Sequence, residues 1–180
     1  MTNEEHIILL NDRGQRVGQA EKLWVHQQGL LHEAFSIMIM NTKGEMLLQK
    51  RAADKYHSAG LWTNACCSHP RYGERLEDAV QRRMQEELGF VCKVRKIDEF
   101  VYMFKDPVSG LIEHEWDHIF KGTYDGAVNF NPKEIAQVRW ATISQIAEEL
   151  SLQPDRFTYW FRVWWQQVSP KDILAILTAS

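Results

Sequence analysis

The side chains in this sequence with most to offer chemically are histidines and acids, and their densest run is His114-Glu115-Trp116-Asp117-His118. Its literal pattern, H-E-x-x-H, is that of a zinc-protease helix, which needs both imidazoles on one helical face at i and i+4. The surroundings argue for a strand instead. The run follows the turn signal Asp106-Pro107-Val108-Ser109-Gly110, precedes Lys121-Gly122 and pairs naturally with residues 100–104. On a strand, His114, Trp116 and His118 share one face while Glu113, Glu115 and Asp117 share the other. The two imidazoles then stand roughly 13 Å apart. The protease reading, which predicts caseinolysis, gives way to a strand carrying the carboxylate pair Glu113 and Glu115.

Two like charges so close raise each other's pKa unless a cation or donors neutralise them. Taken alone, the pair reads as solvent-facing acids on an edge strand. Cys67-Ser68-His69 has the same i, i+2 spacing on another segment, and His26 and His32 lie upstream. Any single histidine here reads as a core or surface residue. Three imidazoles and two carboxylates together would make an N/O site suited to Mn2+, Zn2+ or Mg2+, although spacing alone does not bring them together.

The elements that must position these residues are strands mixed with helices. Residues 6–10 read as a strand closed by the turn Asn11-Asp12-Arg13-Gly14, and 35–40 with 45–48 as a hairpin around Asn41-Thr42-Lys43-Gly44. A second hairpin joins 100–104 to 111–120, and 134–140 makes a last strand. The clearest helix spans 74–88, where Leu76, Ala79, Val80, Met84 and Leu88 form one apolar stripe and Gly89 supplies the stop. Further helices are expected at 144–150, 155–168 and 170–177. This alternation predicts an α/β or α+β layered fold.

Composition sets the limits. The chain has 180 residues, 44% of them hydrophobic, and no repeats or linkers, which suits one domain over 1–180 with a core at about 30–165. A net charge of −3 offers no bulk attraction to nucleic acid or anionic lipid. The amino terminus, MTNEEHIILLNDRG, lacks a basic segment followed by an apolar one, so no signal peptide is expected, and no apolar run approaches the roughly 20 residues of a membrane span. Cys66, Cys67 and Cys92 are an odd count with two adjacent, read as reduced thiols in the cytoplasm. Seven tryptophans (24, 62, 116, 140, 160, 164 and 165) exceed what packing usually needs.

The 74–88 helix carries a further pattern. Glu74, Arg82, Glu86, Glu87 and Gly89 match much of the Nudix box, G-x5-E-x7-R-E-U-x-E-E-x-G-U, with Met84 and Phe90 at apolar slots. Ser68 stands where the first Gly belongs and Arg83 where the Glu of R-E belongs. A Nudix hydrolase holds Mg2+ on that acidic cluster. Arg83 weakens such a site and adds a bidentate grip for phosphate oxygens, while Glu86 and Glu87 still allow one Mg2+ on a bound diphosphate. The plain alternative is a solvated charged helix face.

Taken together, the residues resemble one family within the Nudix fold, the type I isopentenyl-diphosphate isomerases. The resemblance runs from Glu5-His6 to about Trp160. It rests on Glu21-Lys22, Leu31-His32-Glu33-Ala34-Phe35-Ser36, Gln49-Lys50-Arg51-Ala52 with Lys55, and Trp62-Thr63-Asn64-Ala65-Cys66-Cys67-Ser68-His69-Pro70. The altered Nudix helix, Tyr102, Asp106-Pro107 and Glu113-His114-Glu115 complete it. It implies a Nudix-type α/β/α sandwich with a mixed β-sheet, and a monomer or weak homodimer acting on a small isoprenoid diphosphate. It also implies that His26, His32, His69, Glu113 and Glu115 bind the first divalent metal (Mn2+, Zn2+ or Mg2+) and that Glu87 holds a Mg2+ touching the diphosphate. Lys22, Arg51, Lys55 and Arg83 would grip the phosphates. Cys67 and Glu115, with Tyr102 bonded to Glu115, would handle protons, and Trp160 would lie against the hydrocarbon.

Chemistry supports that assignment. Moving the C=C bond means adding one proton and removing another through a tertiary carbocation that water would trap, so an acid, a base and a dry aromatic pocket are required. Trp160, supported by Trp62, is the expected aromatic wall. Without the resemblance, Trp160 would simply pack its helix with Trp164 at i+4. The alternatives are a Nudix hydrolase of a nucleoside or isoprenoid diphosphate and a metal- or diphosphate-binding module without turnover. His6, His57, His114 and His118 receive no role.

Overall fold

The computed structural model describes residues 5–55 and 57–168. Nine strands form one mixed sheet with helices on both faces, the α/β sandwich expected. Strand β1 (His6–Leu10) turns through Gly14, at φ 71°, into the antiparallel β2 (Arg16–Glu21). Helix α1 (Lys22–Gln28) follows, capped by the Glu21 carboxylate on the Leu23 and Trp24 N–H groups and closed by Gly29 at φ 65°. Neither β2 nor α1 is expected from sequence.

The middle of the sheet holds β3 (His32–Met40), buried at every position, as a strand covered on both faces must be. The expected hairpin with β4 (Glu45–Arg51) exists only at its mouth: Met40 pairs with Met46, and the strands then part. Strand β3 turns to a parallel partner, β8 (Ile112–Thr123), and to the short β6 (Cys66–Ser68). Strand β4 takes β5 (Trp62–Thr63) and β9 (Ile135–Thr142) instead. The expected second hairpin is present and longer, with β7 (Val94–Lys105) antiparallel to β8.

One core lies under α2 (Leu76–Leu88), whose Ala79, Val80, Met84 and Leu88 meet Phe35, Ile37, Ile39 and Leu47. The other lies under α3 (Ile143–Leu152) and α4 (Tyr159–Gln167). The helix expected over 155–168 is broken. A 3-10 turn at Pro154–Arg156 precedes extended backbone at Phe157 and Thr158, because the Thr158 N–H donates to Trp62 O at 2.9 Å and is unavailable to a continuous helix. The helix expected at 170–177 lies outside the described residues. Trp62 is corrected too: it is buried in the second core with the Arg139 guanidinium 4.6 Å from its ring centroid, and does not line the pocket described below. Trp164 and Trp165 pack that core, as expected.

Candidate active site and metal centre

Register builds the site. In the β3/β8 pairing His32 lies opposite Glu115, and in the β7/β8 pairing Tyr102 lies opposite the same residue. The period-two alternation of β8 turns Glu113, Glu115 and Asp117 to one buried face. His69 directly follows β6, which β3 holds through Ser36–Cys67 and Phe35–Ser68 pairs, and α1 delivers His26 from its last turn.

His26, His32, His69, Glu113 and Glu115 converge, each buried, with five potential ligand atoms all within 4.8 Å of one another. His26 Nδ1 donates to Lys22 O at 2.7 Å and His32 Nδ1 to Leu30 O at 2.8 Å. A carbonyl only accepts, so each Nδ1 carries a proton and Nε2 is the ring atom turned inward, the arrangement a metal-binding imidazole requires. His26 Nε2 lies 3.4 Å from Glu113 Oε2, His32 Nε2 3.5 Å from Glu115 Oε1, and His69 Nε2 2.8 Å from Glu115 Oε1. The donor set, two carboxylates against three imidazoles in a dry site, fits a divalent cation.

The charges are unequal. Burial and the Glu115 charge push the Glu113 carboxyl up, while His32 and His69 outweigh burial and hold Glu115 well below the usual carboxylate range. Burial drives His69 down to about 3, so it is neutral. For His26 burial also pulls down, but Glu113 outweighs it and the pKa rises.

Beside this cluster, Tyr102 Oη donates to Glu115 Oε2 at 2.6 Å, and burial with the Glu115 charge raises the phenol well above its usual value. Cys67 Sγ donates to Asn64 Oδ1 at 3.0 Å and accepts from Trp160 Nε1 at 3.1 Å. The Asn64 amide is fixed because its Nδ2 serves Ile37 O and Cys66 O. Burial and the Asp117 charge push the thiol up to about 12, so it stays protonated. Lys22, Arg51, Lys55 and Arg83 line the same pocket as Cys67, Glu115, Tyr102 and Trp160.

The NUDIX domain family matches residues 30–161. The chain is 48% identical over 158 residues to the isopentenyl-diphosphate Delta-isomerase of Serratia proteamaculans, covering 88% of each. It is 44% identical over 170 residues to isopentenyl-diphosphate Delta-isomerase 2 of Photorhabdus laumondii, covering 94% of this chain and 96% of that one. This chain belongs to the isopentenyl-diphosphate Delta-isomerases of the NUDIX family. The crystal structure of DR0079 from Deinococcus radiodurans has the same fold, with a TM-score of 0.68 at 18% identity over 83% of this chain and 90% of that one.

For this isomerase-family chain, the structure brings together nearly every residue singled out from sequence. Glu87 is set apart from the pocket lining: buried, it takes Arg83 on Oε1 and Gln49 Nε2 on Oε2 at 3.2 Å. Arg83 also meets Glu86 at 2.8 Å and Glu134 at 3.4 Å. These acids outweigh burial and raise the guanidinium pKa further. Glu134 Oε2 receives Lys55 Nζ at 2.6 Å. Sequence reading missed Glu134, Asn64 and His57. Asn64 sits inside a quoted motif without a role, while Glu134 and His57 carry no local signal at all. Asp117, noted only for its face, accepts from Ser36 Oγ at 2.8 Å, and burial with the Glu115 charge raises its carboxyl well above the usual range.

Proposed function

We propose that this chain converts isopentenyl diphosphate into dimethylallyl diphosphate, adding a proton at one end of the C=C bond and removing another from the far side. The observation that carries this reading is a single pocket with two chemistries, Cys67, Glu115, Tyr102 and Trp160 among its lining and Lys22, Arg51, Lys55 and Arg83 alongside. The cations grip the diphosphate and so place the five-carbon unit against the proton-handling groups.

Cys67 and Glu115 serve as acid and base on opposite faces of the alkene, exchanging roles with the direction of the reversible reaction. Asn64 and Trp160 fix the sulfur between a proton acceptor and a proton donor, so the thiol is held in place with its proton on the Asn64 side. Tyr102 holds Glu115 Oε2. Trp160, almost wholly buried, excludes water and turns an aromatic surface to the developing tertiary cation. Such a contact is worth about 2 kcal/mol when desolvated, or about 30-fold in rate if felt only in the transition state.

A divalent cation held by His26, His32, His69, Glu113 and Glu115 would supply a fixed positive charge that orients Glu115 and tunes its acidity. Mn2+, Zn2+ and Mg2+ all accept that N/O set. Glu87, beside the phosphate-gripping Arg83, is the residue proposed to share a Mg2+ with the diphosphate. Three free cysteines support a reducing, cytoplasmic setting.

The test is incubation of the purified chain with isopentenyl diphosphate, Mg2+ and Mn2+ in D2O. The expected result is an acid-labile allylic diphosphate carrying deuterium. Release of phosphate with no allylic product would overturn the reading in favour of hydrolysis.

A further inference from the structure

His57 has no role in the chemistry above, yet it enters the site from a turn held by three separate contacts. Its imidazole is buried, with Nε2 3.1 Å from Glu113 Oε1, within reach though not in hydrogen-bond alignment, while Glu113 Oε2 faces His26 at 3.4 Å. The ring stands edge-on to Trp160 at 5.9 Å and 68°, and lies 6.0 Å from the His26 ring. The backbone is fixed as tightly. His57 O accepts from Arg51 Nη2 at 3.2 Å, and the next N–H, that of Ser58, donates to the buried Asp106 Oδ2 at 3.0 Å. Ser58 sits at φ 48°, where L side chains are rarely found, and is the one non-glycine residue there among those described. A strained position persists where its surroundings over-determine it, and such positions gather at sites of function.

Asp106 lies in the turn between β7 and β8, and Glu113 lies near the start of β8. That hairpin therefore grips the 57–58 turn at Ser58 and is gripped in return at Glu113. Glu113, like Glu115 with its Oε2 on Tyr102, offers one oxygen to the cluster and the other to a group outside it. A carboxylate bound to a metal through one oxygen is free to swing unless the second is held, and holding it sets both direction and basicity of the first.

We propose that His57 is a positioning residue for the metal centre, donating from Nε2 to Glu113 Oε1 so that Oε2 faces the cation, and joining that centre through its own carbonyl to the phosphate-gripping Arg51. The inference rests on reading His26, His32, His69, Glu113 and Glu115 as the metal site.

Two conservative variants separate a hydrogen-bonding role from packing or direct ligation. Gln places an amide N–H at about the reach of Nε2, and Asn stops one bond short. Mn2+ affinity, measured by competition with a chelating dye, is expected to fall on the order of 10–100-fold in His57→Asn and to stay near wild type in His57→Gln. The visible absorption of the Co2+-loaded protein should shift in His57→Asn alone. In a Glu113→Gln background His57→Asn should have no further effect, because the carboxylate through which His57 acts has gone. Unchanged affinity and spectrum in His57→Asn would overturn the proposal, as would equal loss in the two variants. Should His57→Asn fail to fold, His57→Gln decides alone: folded and metal-tight supports, folded and metal-poor overturns. If wild type itself binds neither Mn2+ nor Co2+, the metal reading fails and the proposal falls with it.

Discussion

The two ends of the pocket are built on different plans. At the metal end, Glu113 and Glu115 stand on a strand paired on both sides, His32 lies opposite Glu115 in register, and backbone carbonyls orient His26 and His32. At the phosphate end, three of the four cations already have an acid: Lys22 meets Glu5 at 3.2 Å, Lys55 meets Glu134 at 2.6 Å, and Arg83 meets Glu86, Glu87 and Glu134. Arg51 instead reaches the His57 carbonyl, its guanidinium carbon 5.4 Å from the Trp160 ring centroid. The first end is preorganised in a way that could hold a cation. If the cations grip the diphosphate as proposed, the second exchanges one set of anions for another, which tempers affinity and eases release of a product carrying the same diphosphate.

The sharpest division of the two ends comes from the proton-handling residues between them. Cys67→Ala should lower turnover by about 100- to 10,000-fold while leaving Mn2+ affinity unchanged in the same dye competition. Parallel loss of metal would mean that the thiol belongs to the metal end. Removing the metal tests preorganisation. With Mn2+ at about 100 times its Kd, binding stabilises the fold by about 2.7 kcal/mol, so chelation should lower the melting temperature by about 5–10 °C. A Glu115→Gln protein should melt at one temperature with or without Mn2+.

At the exchangeable end, Glu134→Gln frees Lys55 and relieves Arg83, and KM for the diphosphate should fall by up to about fivefold, the worth of one partly exposed ion pair. A rise in KM would show that Glu134 positions these cations rather than competing for them. The smallest effect lies at the rim, where Arg82 outweighs burial and lowers the Glu74 pKa below 4.5. The stabilisation from this pair is complete above that unfolded value and disappears as pH falls through the folded one. Denaturant melts should show it as less than about 1 kcal/mol lost on acidification, absent in Glu74→Gln.

Much of this was legible in the sequence where a pattern repeats. Alternation along β8 exposes the carboxylate pair, and the apolar stripe of α2 places Glu87 and Arg83. Helix α1 was not legible because it has seven residues and its cap is a glutamate rather than the usual Ser, Thr, Asp or Asn. Strands β5 and β6, two and three residues long, leave no period to detect. The break before α4 depends on a hydrogen bond to Trp62, nearly 100 residues earlier in the chain. Convergence of His32 with Glu115 depends on a parallel pairing that no local signal encodes. His57 was missed for a related reason: a lone histidine in a turn has meaning only once the turn is seen to be held by Asp106 and Arg51.

The parting of β3 from β4 after Met40 and Met46 also sets the order of events as the chain is made. Because β3 waits for β8, three imidazoles emerge from the ribosome well before either carboxylate that completes their set. Closing that distance is an entropic cost that falls on the sheet rather than on the ion. On the proposed reading, metal capture would be a late event in biogenesis, following a finished β-sheet rather than seeding it, and a chain stopped short of residue 113 would lack both carboxylates of the cluster.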